Sequence, residues 1–171
     1  MKDKHGRYRV AVGVPLILKT PAQPDDFALN VARKGYPKPS ASVNWVPDTS
    51  LYQAIDGKIW YFAEITNRWT TLGSTTQHNW FAVDFGQSHT ISGVRVALFA
   101  DNKTFGLPDT ITVDYKKGDQ WFPVTLKDRG KMKLVANTQN TVGFEAVNTT
   151  AIRVNFTCLT KAVAVSEIEC Y

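Results

Sequence analysis

From about residue 80 onward, apolar and polar residues alternate with a period of two, the repeat of a strand with one face covered and the other wet. In "FAVDF", residues 81–85, Phe81, Val83 and Phe85 share one face; Trp80, Ala82 and Asp84 share the other. In "TISGVRVALF" the residues Ile91, Val94, Val96 and Leu98 all turn inward, with Arg95 outward, only if the register slips near Gly93. A bulge is predicted there. "DTITVDYKKGDQWFPVT" reads as a hairpin in which Ile111, Val113 and Tyr115 alternate with Thr and Asp, residues 116–120 turn the chain, and residues 121–125 return. "TVGFEAV", "AIRVNFT" and "AVSEIECY" follow, and no helical stripe runs beyond about two turns. Short strands with turn signals about every ten residues predict an all-β fold, an antiparallel β-sandwich or jelly roll.

Residues 36–79 differ in kind. They carry Trp45, Tyr52, Trp60, Tyr61, Phe62 and Trp69 with few alternating runs, and read as loops, where binding residues gather on a rigid scaffold. Upstream, "RYRVAVGVPLILKT" reads as the last strand of a preceding domain and the proline-spaced "KTPAQPDD" as a linker. The expected division is a residual upstream strand and linker over residues 1–27, then one module over residues 28–171. Pro15 breaks the apolar run 10–18 and no small-residue cleavage site follows, so it does not read as a signal peptide. No stretch reaches the roughly 20 apolar residues of a membrane helix.

Composition narrows the function classes without naming one. A chain of 171 residues, 43% hydrophobic and 12% aromatic, can bury one sizeable core. Its 20 basic against 15 acidic residues give a formal +5, but without the dense basic cluster of a nucleic-acid footprint. "KDRGKMK" at 127–133 reads as a solvated turn. Cys158 and Cys170 offer neither a disulfide framework nor zinc spacing. If the last two strands form a hairpin turning near residues 160–162, Cys158 faces about Val165, and both thiols are expected reduced and mostly buried. No nucleophile elbow, phosphate-cradling glycine loop or metal-water motif is present, so no catalytic residue is assigned.

The order of motifs carries more. "NVA", "SLYQAIDGK", "NRWTT", "NWFAVDFG", "ISGVRVALF", "LPDTITVDYKKGDQWFPV", "TAIRVNF" and "VSEIECY" together resemble the discoidin-like, or coagulation-factor type C, domain. That is the galactose-binding-like jelly roll that includes family-32 carbohydrate-binding modules, and the likeness covers about residues 28–171. It implies that Trp69, Trp80 and Asp84 are structural. It also implies a Ca²⁺ ion pinning the early loops to the last strand, with ligands at the carbonyl of Gln53, Asp56, Asn67, the carbonyl of Ser166, and Glu167. Oxygen ligands with two carboxylates suit such a hard cation.

Sugar sites lay a pyranose face on an aromatic ring while polar groups read the hydroxyls. Trp60 and Tyr61 in "KIWYFAEIT", His78, and Asp101, Asn102, Lys103 and Phe105 in "ADNKTFG" are the candidates. No arginine stands where the strand ending at Phe99 enters its loop, although the family often uses one. The resemblance implies a noncatalytic module C-terminal to a glycoside hydrolase or polysaccharide lyase, extracellular or periplasmic, with carbohydrate and the upstream catalytic domain as partners. Two other readings stay open at this point: an accessory domain packing on its partner without a ligand, and a membrane-binding domain of the coagulation type, which only Lys58 beside the aromatic loop supports. Sequons at Asn102, Asn148 and Asn155 are compatible with secretion, Asn155 being a poor acceptor inside a strand.

Overall fold

The structure, a computed structural model, describes residues 17–18, 26–44, 49–128 and 132–171. The expected linker except its last residue, Asp26, together with Trp45 and the middle of the 127–133 charge run, lies outside these residues. In chain order the elements are β1 (Ile17–Leu18), β2 (Lys38–Ala41), α1 (Thr49–Tyr52), β3 (Lys58–Ile59), β4 (Trp69–Thr70), β5 (His78–Phe99), β6 (Thr110–Lys117), β7 (Gln120–Pro123), β8 (Thr138–Thr157) and β9 (Ala164–Cys170). Among the described residues all pairing between these strands is antiparallel, as the alternation predicts.

Two long strands make the sandwich. β5 and β8 pair along their whole length, but the ladder is interrupted between Asp84 and His89 and again between Ile91 and Gly93. These breaks let one sheet fold over on itself. The first half of β5 pairs with β2 and the second half of β8, which in turn holds the β6–β7 hairpin. The second half of β5 pairs with the first half of β8 and with β9, which carries β4. Trp69, 2% exposed on β4, closes the space between the layers, its ring 5.4 Å from that of Phe81 and 5.7 Å from that of Phe156. Truncating such a buried tryptophan to alanine costs about 3–5 kcal/mol.

The inward residues are those the alternation names: Phe81, Val83, Phe85, Ile91, Val94, Val96 and Leu98 are all buried. The slip falls at Gly93, where a Cβ would come within 2.7 Å of the Tyr171 ring and where the backbone N–H donates to the Tyr171 carbonyl at 3.0 Å. Any side chain there would displace the C-terminus.

Two expectations need correction. The last two strands do not form a hairpin: β9 lies between β4 and β5, and β8 between β5 and β6. Consecutive strands usually pair, but here the chain crosses from one layer to the other between them. No disulfide joins the two cysteines; Cys170 is buried and Cys158 half-buried. Residues 36–79 are also less irregular than expected, since β2, α1, β3 and β4 all fall there. Each is four residues or shorter, too brief for a periodic signal.

The pairings also fix which loops meet. His78 and Thr110 both face Thr157, while Thr70 and Phe99 both face Ala164. The segments 71–77, 100–109 and 158–163 therefore emerge together at one end of the sandwich.

Candidate functional site

At that end a cleft of about 330 Å³ opens between segments 71–77 and 158–162. Its base is tied twice. Thr71 donates its N–H to the Val163 carbonyl and receives the Val163 N–H on its hydroxyl, both at 2.9 Å, and the Cys158 N–H reaches the Gln77 carbonyl at 2.8 Å. Asn79, 1% exposed, staples the nearer wall by accepting from the hydroxyls of Ser74 (2.8 Å) and Ser42 (3.2 Å) and donating to the Thr76 carbonyl (3.0 Å). The far wall is held by the Leu159 N–H on the Asp109 carboxylate at 2.8 Å. Exposed Leu72 and Leu159 give the cleft apolar flanks, while Ser74, Thr75, Thr76, Gln77 and Lys161 line it with donors and acceptors. Burial pushes the Cys158 thiol up, so it stays protonated in the wall.

The 100–106 loop adjoins this cleft. Phe105 bridges to Ala162, the Gly106 N–H donates to the Ala162 carbonyl at 2.9 Å, and the Lys161 ammonium reaches the Asn102 carbonyl at 2.5 Å. Asp101 organises the loop: its Oδ1 accepts the N–H groups of Lys103 (2.8 Å), Thr104 and Phe105 (both 2.9 Å). The Phe105 N–H first, and those of Lys103 and Thr104 after it, hold this carboxyl below the usual aspartate range. Asn102 adopts a positive φ of 60°, which turns the loop tip back. Asn137 fixes the other flank, exchanging side-chain hydrogen bonds with the backbone of Ala100 at 2.9 and 3.1 Å.

The sequence candidates thus divide. His78, exposed with its Nδ1 3.4 Å from the Thr157 hydroxyl, belongs with Asp101, Asn102, Lys103 and Phe105 at the loop end. Trp60 and Tyr61 lie along β9 instead. The Trp60 N–H donates to the Ser166 hydroxyl at 2.7 Å, and the Tyr61 phenol is raised by burial and then by the Glu169 charge. An arginine does meet the strand end at Phe99, but it comes from before the core tryptophan: Arg68, 7% exposed, sets its guanidinium 3.9 Å from the centre of the Phe99 ring. It donates to the carbonyls of Phe62 (2.7 Å) and Ile65, drawing the aromatic loop towards the Asp101 loop. Burial lowers its pKa, with Asp101 and Glu64 opposing. "NRW" is the available signal, which points to Asn67 and Trp69 and passes over Arg68. Segments 71–77 and 158–162 had none, being short and polar.

The five residues proposed for calcium meet at a second place, where the 53–60 segment docks on β9. The Asn67 amide N–H donates to the Gln53 carbonyl at 3.2 Å and to Asp56 at 3.4 Å, and the Gly57 N–H donates to Glu167 Oε1 at 2.9 Å. Ser166 is the extra residue where the β5–β9 register shifts. Asp56 and Glu167 are both buried, and both oxygens of Asp56 are engaged: Arg33 donates to Asp56 Oδ2 and, at 3.0 Å, to Asn67 Oδ1, and the Lys58 N–H reaches Asp56 Oδ1 at 3.1 Å. A hard divalent cation needs such lone pairs aimed at one bare point, and as arranged these residues do not provide it. Among the described residues no cluster of three or more His, Cys, Asp or Glu could hold a metal.

A comparison with curated protein sequences finds no match. Among solved structures, the chain is similar to one from the Streptococcus pneumoniae β-galactosidase BgaA, at 19% identity and a TM-score of 0.76, covering 86% of this chain and 98% of that one. It is also similar to chitosan-binding module 1 of a chitosanase/glucanase from Paenibacillus sp. IK-5 (20% identity, 86% and 98% covered, TM-score 0.59). The family 32 CBM of Clostridium perfringens NanJ in complex with galactose is similar at 18% identity, with 77% and 90% covered and a TM-score of 0.59. These likenesses concern the fold. A sequence profile described as NedA-like, galactose-binding domain matches residues 53–154, from the polar junction through most of β8. With more than half its length in that profile, the protein belongs to the family of NedA-like, galactose-binding domains.

Proposed function

We propose that the protein is a noncatalytic carbohydrate-binding module that takes a galactose-type sugar at the loop end of its sandwich. The observation that carries this reading is the cleft of about 330 Å³ between segments 71–77 and 158–162, at the small end of the range of ligand sites, roughly 300–1,000 Å³. Its walls offer hydroxyls, amides and one ammonium beside two exposed leucines, a mixture suited to a ring with one apolar face and several hydroxyls. His78, Asn102, Lys103 and Phe105 extend the surface, and Asp101 acts through the loop it organises. Trp60 and Tyr61 stand on the segment that docks on β9 and do not line this cleft. The family assignment and the galactose bound to the NanJ module support the class of ligand.

The module serves a carbohydrate-active enzyme, a glycoside hydrolase or polysaccharide lyase, by holding it at its polymer; local concentration then substitutes for tight single-site binding. The enzyme origins of the similar structures support this. The test is a glycan array probed with the purified chain and with Lys161→Ala. Galactose-terminated glycans captured by the wild type and several-fold less by the variant are expected. Silence on every glycan would overturn the reading.

A further inference from the structure

We propose that Arg33 is the resident cation of the polar junction, so that the contact between the early loops and β9 forms without a divalent ion. Its guanidinium donates to both Asp56 Oδ2 and Asn67 Oδ1, so one group bridges an acidic and a neutral oxygen that a metal would otherwise have to gather. Asn67 takes the matching role inside, directing its N–H, not its oxygen, at the Gln53 carbonyl and Asp56. Lys58 places a second ammonium 3.8 Å from Asp56 Oδ2. Two cations thus stand against the one carboxylate of Asp56, and a divalent ion added beside them would meet repulsion.

Arg33 is delivered by design of its loop. Its φ is +54°, in the left-handed region that side-chain-bearing residues seldom enter. That turn is fixed from behind by Asn30, 5% exposed, whose amide donates to the carbonyls of Lys34 (3.0 Å) and Pro37 (2.9 Å) and whose N–H reaches the Ile55 carbonyl at 2.7 Å. The Arg33 N–H closes the turn on the Asn30 carbonyl at 3.2 Å. The backbone spends conformational energy to aim one guanidinium at one buried carboxylate, whose side chain is 1% exposed.

The test is thermal unfolding of the full chain with added CaCl₂ or with EDTA, on wild type, Arg33→Ala and Arg33→Gly. Glycine relieves the positive φ while removing the charge, and so separates backbone strain from electrostatics. The wild-type midpoint is expected to ignore both additions. Both variants should melt roughly 6–12 °C lower and regain several degrees with calcium, which then enters a cage the guanidinium has left. If neither variant folds, Arg33→Lys should fold, melt within a few degrees of wild type and remain indifferent to calcium. A saturable rise of the wild-type midpoint with calcium, variants that melt like wild type, or variants that calcium cannot restore would each overturn the proposal. Failure of glycan capture bears on the cleft and leaves this result untouched.

Discussion

The polar junction at β9 and the cleft at the loop end hold similar residue types and use them in opposite ways. At the junction Asp56, Asn67 and Arg33 are turned towards one another, and the acidic side chain is almost wholly buried. Around the cleft the buried group, Asn79, points back into the loops, while Thr75, Thr76, Gln77, His78 and Lys161 stay exposed. Polar groups that satisfy each other lock a fold; polar groups held in place with their outer atoms wet can receive a ligand. The difference lies in which direction the hydrogen bonds face, not in composition.

The comparison breaks most visibly at Asp56. Replacing it with alanine leaves Arg33 without its buried partner and should cost about 3 kcal/mol, the lower end for a severed buried pair because Arg33 is a third exposed. Urea unfolding measures the loss, and glycan capture by the molecules that remain folded should be unchanged. Asn79→Ala comes next, at about 1–3 kcal/mol for two hydroxyl donors and a carbonyl left unmatched, and here glycan affinity should fall along with stability in the same titration series. Lys161→Ala sharpens the contrast from the other side: stability within about 0.5 kcal/mol of wild type and affinity weaker by roughly 2–10-fold, read by calorimetry.

The smallest effect concerns pH. The Asp101 carboxyl is held below its ordinary range by three backbone N–H groups, so its contribution to stability is fully present above the usual aspartate value, about 3.9, and is lost as pH falls through its lower folded value. A melting series below about pH 4 should therefore decline less steeply for Asp101→Asn than for wild type.

What the sequence made legible follows from the range of the forces involved. Alternation is local, so the inward faces of β5, the slip at Gly93 and the β6–β7 hairpin could be read directly. Its two-residue turn, with Lys117 opposite Gln120, is tighter than residues 116–120 suggested, because Gly118 takes a positive φ. Layer crossing is not local, so alternation alone does not tell whether β8 and β9 pair. The candidate site was half legible. "ADNKTFG", His78, Trp60 and Tyr61 announce themselves by composition, but that the Trp60 N–H reaches the Ser166 hydroxyl on β9 is a long-range contact no local pattern shows. Arg33 and Arg68 act on partners 23 and 31 positions away, beyond any motif.

The most direct test of the account is where a sugar touches the chain. Galactose titrated into the labelled protein, followed by amide NMR, should shift signals from residues 71–79, 101–106 and 158–162 together. The junction residues 53–60 and 166–168 should stay still. Shifts centred on Trp60, Tyr61 and the junction, with the loop end silent, would contradict it.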